Sequence, residues 1–315
     1  MSGILKQRSQ ASDLRKRIYQ NKTLYFFLIP AVVLTIIFCY RPMIGVIIAF
    51  QEYDARAGFF GSPFVGLKHF KKFLQVPDFY RALRNTVTIN LLNMAVGFTL
   101  PIIFALVLNE LYSVKIKRVV QTITYLPHFV SWIVIGGMVY RLLAVDTGSV
   151  NLLLMFFGKD QVPFMRNSDM FYPIFITVAV WKELGWNSII YLAALQGIDP
   201  QLYEAAIVDG AGRLRCIFSI TLPGIATTIG LLFILTIGTL VNAGGGASLE
   251  AIFSMRNPLI MDRALVVDLY TYMEGISLGY FSYAAAIGLT QSVVSFMLVM
   301  FANFISRRLM KFGVF

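Results

Sequence analysis

The stretch 203–223, YEAAIVDGAGRLRCIFSITLP, is short and of mixed polarity, and it stands between two long apolar runs. Asp199 can cap a helix, and Pro200 follows at the first helical position, where a missing N–H loses no bond. Leu202, Ala205, Ala206 and Asp209 then share one face at i, i+3, i+4 and i+7, beside Tyr203 and Glu204. Gly210, followed by Ala211, supplies a reversal. Leu214, Ile217 and Phe218 give a second short apolar face, and Leu222-Pro223-Gly224 ends the segment. The pattern predicts a helical hairpin over 199–223 with small residues at its bend, a shape suited to a cleft on another protein.

Working outward, the 315 residues are 57% hydrophobic and only 14% charged, with a mean hydropathy of +0.72. Soluble globular chains are not composed this way. Six stretches approach the roughly 20 apolar residues that a helix needs to cross a bilayer core: 24–40, 86–108, 119–139, 171–195, 224–241 and 283–305. None alternates as a transmembrane barrel strand would. The expected fold class is an all-α membrane protein with six transmembrane helices. A segment 1–23 precedes the six-helix domain 24–305, which carries an outer loop 41–85 and the hairpin 199–223, and a tail 306–315 follows.

Charge orients this arrangement. Segments 1–23, 109–118, 196–223 and 306–315 hold 14 Lys/Arg against 5 Asp/Glu, which by the positive-inside rule puts them, and both termini, in the cytoplasm. The seven basic residues of 41–85 argue mildly the other way. The run from Leu24 ends in Phe38, Cys39, Tyr40 and Arg41 without a small-x-small cleavage site, so it reads as an uncleaved anchor. Basic residues at scattered membrane edges, without a stacking platform, argue against nucleic acid as a partner. Cys39 and Cys216 fall on opposite sides of this topology, which implies no disulfide.

The hairpin also carries a family likeness. Glu204-Ala205-Ala206, then Gly210, then Ile220-x-Leu222-Pro223, resembles the EAA loop of membrane subunits of binding-protein-dependent ABC importers. The extended form with Tyr203, Asp209-Gly210-Ala211 and Phe218 is similar to the sugar-importing branch. Asn257-Pro258 and Asp268-Leu-Tyr270-Thr-Tyr272 resemble permeases for larger saccharides, and Gly66-Leu67-x-x-Phe70 the first outer loop of that branch. Ser248-Leu-Glu250-Ala departs from the Gly-Phe-Glu-Gln those relatives tend to carry, which leaves the sugar open. The resemblance implies a type I ABC importer permease fold in a bacterial cytoplasmic (inner) membrane, crossed several times. It implies as partners a second homologous permease subunit, two ATP-binding subunits that hold ATP and Mg, and a periplasmic or lipid-anchored solute-binding protein. Glu204 would anchor the hairpin there, and Ala205 and Ala206 would allow close approach.

Three places can carry transport chemistry. In the fourth stretch, Trp181-Lys182-Glu183 is followed by Trp186, Asn187 and Tyr191. Paired ions in an apolar helix are costly unless they face a cavity or partners, and aromatics beside amides and carboxylates suit sugars. Helical geometry puts Lys182 and Trp186 on one line and Glu183, Asn187 and Tyr191 on another, and the second, polar line is expected to face a pore. The other reading places these ions near the outer interface with the tryptophans as belt anchors. The second place is the break Asn242-Ala-Gly-Gly-Gly-Ala-Ser248, which reads foremost as a plain outer loop and second as unwound cavity lining. The third is Asn90, Asn93, Gln291 and Ser292, read foremost as helix–helix glue. His128 follows Pro127, where a kink is expected, and reads as packing.

No GxxxxGK[ST] loop, HExxH, CxxC or G-x-S-x-G occurs, so neither nucleotide chemistry nor a conventional catalytic centre is expected, and no metal. Energy must then enter through the hairpin from a partner, or as an ion gradient through intramembrane acids, of which Glu183 is the one well inside a span. The reading adopted is a permease for an oligosaccharide or polysaccharide-derived sugar. Import of a monosaccharide or sugar-phosphate ester, a secondary transporter and a pore-less membrane interaction protein are the alternatives.

Overall fold

The computed structural model describes residues 20–241 and 248–310, with side chains to residue 308. The chain divides after His69 into two compact units. The first is dominated by one helical rod, α1 (Lys22–Phe50), apolar on every side. It opens into a wide turn over Ile36–Tyr40 just ahead of Pro42, which has no N–H to continue the regular ladder, and tightens over Ile44–Phe50. The chain then doubles back through Gly58, at φ +69°, to pair Gln51 with Phe64. Lys68 reaches Glu52 at 2.5 Å, and His69 Nε2 lies 3.0 Å from the carbonyl of Gln51.

The second unit is a bundle. In order it comprises α2 (Pro77–Asn109), α3 (Val114–Phe129) and α4 (Trp132–Leu142), α5 (Ser149–Phe156) and α6 (Phe171–Gln196). The hairpin limbs α7 (Pro200–Val208) and α8 (Arg213–Gly224) follow, then α9 (Ala226–Gly238), α10 (Leu249–Met255), α11 (Val267–Tyr272) and α12 (Phe281–Met310). Among the described residues α1, α2 and α12 are each long and apolar enough to cross a bilayer. The fourth stretch is the 26-residue α6, with Lys182, Glu183 and Asn187 at its middle.

The other two stretches are bent. The third turns by 100° between α3 and α4, and the fifth by 60° between α8 and α9. Local chemistry explains both. Pro127 cannot donate into the α3 ladder, Val130 is extended, and Ser131 restarts the helix by accepting a hydrogen bond from the Val134 N–H. The second bend falls at Ile225, at the start of the fifth stretch just after Pro223 and Gly224, and α9 restarts there without a side-chain cap.

Amides on α2 and α12 tie these helices to the backbone of neighbouring elements. Asn85 on α2 donates to the carbonyls of Asp262 and Leu265, both at 2.8 Å, and accepts from Tyr172. Asn90 donates to Thr239 and Leu240, and Gln291 on α12 to Val241, which satisfies carbonyls left open where α9 ends. These amides therefore join helices by bonding backbone, whereas Ser292 donates to the Gly288 carbonyl of its own helix. A core of Ala105, Leu108, Tyr191, Leu192, Leu195 and Ile225 unites the ends of α2 and α6 with the start of α9, directly beside the hairpin.

Candidate functional site: a cavity and a hairpin joined by one helix

Helix α6 carries both features. Along one of its faces Glu183, Asn187 and Tyr191, each four residues from the next, line a cavity of about 460 Å³, within the range of small-molecule sites. The facing wall comes from Asn93, Gly97, Phe98 and Pro101 of α2 and from Leu232, Leu235, Thr236 and Thr239 at the end of α9, with Trp132 and Ser248 at the margins. The surface is mostly apolar with a few convergent amides, hydroxyls and one carboxylate, and Phe98 stands edge-on to Tyr191 at 6.3 Å. Such a mixture offers stacking faces and hydrogen bonds together.

Lys182 and Trp186, expected beside that stripe, lie on the neighbouring line of α6 and do not form the cavity wall, because one residue of helix rotates the side chain by about 100°. They clasp the break in the third stretch. Lys182 is 5% exposed, and its Nζ donates to the carbonyls of Pro127, His128 and Val130 at 3.4, 2.5 and 3.0 Å. The same ammonium is 3.7 Å from Glu183 Oε1 and 5.7 Å from the Trp132 ring centroid. His128 Nδ1 sits 2.8 Å from Glu183 Oε2, and its ring stacks on Trp186 at 4.1 Å with 2° between the planes. A cation at carbonyls left without partners by a helix break is favourable on both hydrogen-bonding and dipole grounds. Gly185 lets the two elements meet: a Cβ there would overlap the Thr124 carbonyl.

His128 is thus a partner of Glu183, a pairing across 55 residues that no local pattern announces. Thr236 and Thr239 escape sequence reading for another reason: in an apolar helix their hydroxyls bond to their own backbone and look like filler. Asn242 and the three glycines after it lie outside the described residues. Asn257 serves structure, donating to Tyr140 and to the Met165 carbonyl.

At its end α6 runs through Gly197 and Ile198 into the hairpin. Asp199 caps α7 by accepting from the Gln201 N–H at 2.9 Å. The limb ends with Gly210 at φ +79°, the Gly210 N–H bonded to the Ile207 carbonyl and the Ala211 N–H to that of Ala206. This is a Schellman stop, in which glycine takes the left-handed position without strain. Tyr203 closes the two limbs by a 3.0 Å contact with Thr221, and Arg213 hydrogen-bonds to the Tyr112 hydroxyl and lies 5.0 Å over its ring. Glu204, Ala205, Asp209 and Pro223 are exposed, Ala206, Ala211 and Leu222 half-buried. The apolar tip is bare, with Val208 86% and Phe218 68% exposed.

Comparison with known proteins gives these two features a context. Residues 97–311 match the family described as "Binding-protein-dependent transport system inner membrane component". The whole chain is 39% identical to 97% of the polygalacturonan/rhamnogalacturonan transport system permease protein YteP of Bacillus subtilis. It is 43% identical over 94% of its length to protein LplB of the same organism, covering 92% of that protein. Among solved structures it superposes on a chain of a bacterial alginate ABC transporter in complex with alginate pentasaccharide-bound periplasmic protein, with a TM-score of 0.86, 39% identity and coverage of 95% and 99% of the two chains. The chain therefore belongs to the binding-protein-dependent transport system inner membrane components, the permease subunits of ABC importers.

Proposed function

We propose that this permease subunit imports an oligosaccharide derived from an acidic polysaccharide across the bacterial cytoplasmic membrane, driven by ATP hydrolysis on partner chains. The single observation that carries the mechanism is the continuity of α6: one helix bears the polar stripe Glu183–Asn187–Tyr191 and leads within three residues into the exposed hairpin. Six crossings, made by α1, α2, the α3–α4 pair, α6, the α8–α9 pair and α12, put both termini and the hairpin in the cytoplasm. The charge distribution supports that orientation. A second homologous permease subunit completes the path, and a solute-binding protein presents the saccharide at the outer face. Two ATP-binding subunits, which hold ATP and Mg, grip the hairpin in surface clefts.

The hairpin fits such a cleft by its bare tip and small bend residues, and Tyr203–Thr221 keeps its limbs together. When the ATP-binding pair closes, displacement of the hairpin passes into α6 as a rigid body, because Leu192, Leu195 and Ile225 pack the joint in a buried core. The cavity wall then moves with its handle. The relatives that transport polygalacturonan or alginate support an acidic oligosaccharide as cargo.

The test is ATP-driven uptake by the complete importer in proteoliposomes. Asn187→Ala removes a hydrogen-bonding group from the wall and is expected to lower saccharide import about three- to tenfold, the loss of one neutral hydrogen bond, while the ATP-binding subunits still assemble. Uptake that persists without ATP and collapses with a protonophore would overturn the proposal.

A further inference from the structure

We propose that Lys182 sets the charge of the cavity wall and thereby decides how well the importer accepts an anionic saccharide; the inference rests on the cavity being the substrate path. Among the described residues that line it, Glu183 is the one Asp or Glu, and there is no Lys or Arg. Left alone, that carboxylate would repel a uronate in a space whose surface is more apolar than polar. It is not left alone. Lys182 lies 3.7 Å from one of its oxygens and His128 2.8 Å from the other.

The lysine's own position is fixed independently of Glu183. Its ammonium is buried and held by three carbonyls at the broken end of α3, so it cannot swing into the cavity and bind the saccharide itself. Lys182 is thus a positioning residue that acts through its neighbour. It neutralises Glu183 from behind and leaves its oxygens as acceptors for sugar hydroxyls. The fold invests a buried cation in this, which in an apolar helix persists only with partners.

The reading predicts selectivity changes of opposite sign from two adjacent substitutions. Lys182→Met exposes the Glu183 charge, and Glu183→Gln leaves the lysine charge uncompensated. The complete importer in lipid nanodiscs is titrated with trigalacturonate and with its methyl ester, which share length and differ in charge. Relative to wild type, Lys182→Met is expected to lower the acid-to-ester affinity ratio about tenfold, as for two unit charges roughly 12 Å apart at an effective dielectric of about 20. Glu183→Gln raises the ratio, and the double variant returns it towards wild type.

A purely structural role for Lys182 would weaken both ligands alike and leave the ratio unchanged. Glu183→Gln raises the ratio whether or not Lys182 compensates the carboxylate, so Lys182→Met is read against Lys182→Arg, which keeps the charge beside Glu183 and should leave the ratio at its wild-type value; an equal shift in both variants would overturn the inference. If Asn187→Ala weakens both ligands but neither charge variant shifts the ratio, this inference falls alone. If Asn187→Ala affects neither ligand, the substrate-path reading falls and takes this inference with it.

Discussion

Replacing Gly210 by valine changes the hairpin through its backbone alone. A Cβ built at Gly210 meets no atom within 4 Å, so packing is untouched, but φ is +79°. An L residue held there costs about 1–2 kcal/mol, and a β-branched one falls at the upper end. If the ATP-binding subunits grip only the preformed turn, that energy appears as a roughly 5- to 30-fold weaker attachment. Asparagine, which tolerates the left-handed region, should lose much less. Gly158 provides the control, since it has φ +70° and equally open surroundings but lies in the loop after α5. The assay measures retention of the ATP-binding subunits on the purified permease pair alongside saccharide uptake per ATP hydrolysed. Gly210→Val should impair both, Gly210→Asn little, and Gly158→Val neither. Equal behaviour of the Gly210 and Gly158 valine variants would show that the left-handed turn at Gly210 does not govern attachment.

Other expectations follow from packing and burial. Gly185→Ala forces a Cβ into the Thr124 carbonyl and within 2.8 Å of the Tyr125 ring, so it should destabilise by about 1–3 kcal/mol, whereas Gly137→Ala, with open space at its Cβ, should not; thermal unfolding in detergent separates the two. Burial raises the Asp268 carboxyl above its ordinary pKa, with a hydrogen bond from Gln291 opposing the shift, and Oδ2 has no partner among the described residues. The folded state therefore holds this proton more tightly than the unfolded state does. The contribution of Asp268 to stability is complete below the ordinary carboxylate range and is lost as pH rises through the raised value. Asp268→Asn should stabilise the protein at neutral pH by on the order of 1 kcal/mol, with the advantage vanishing near pH ~4.

What could be read from sequence was local. Asp199-Pro200 and Gly210 act within one turn of themselves, so the hairpin and its stop follow from the residues that form them. The line Glu183–Asn187–Tyr191 follows from helical rotation alone. Pro127 marked a disturbance in the third stretch, but not its size, because the 100° turn depends on Ser131 restarting the helix and on Lys182 arriving from α6. Lys182 looked like part of a path because a charge in an apolar helix needs a partner, and sequence does not say where the partner lies. The carbonyls that satisfy it are 52 to 55 residues away. Asn90 and Gln291 read as helix glue, yet their targets are the backbone where α9 ends, a place defined only once the helices are assembled.

Coupling through the hairpin requires that Val208, at its bare tip, lie in the cytoplasm within a cleft of the ATP-binding subunit. With Cys39 and Cys216 replaced, Val208→Cys in the assembled importer should cross-link to that subunit and resist a membrane-impermeant thiol reagent added to intact cells. Labelling of Cys at this position from outside the cell, or a cross-link absent from an actively transporting complex, would contradict it.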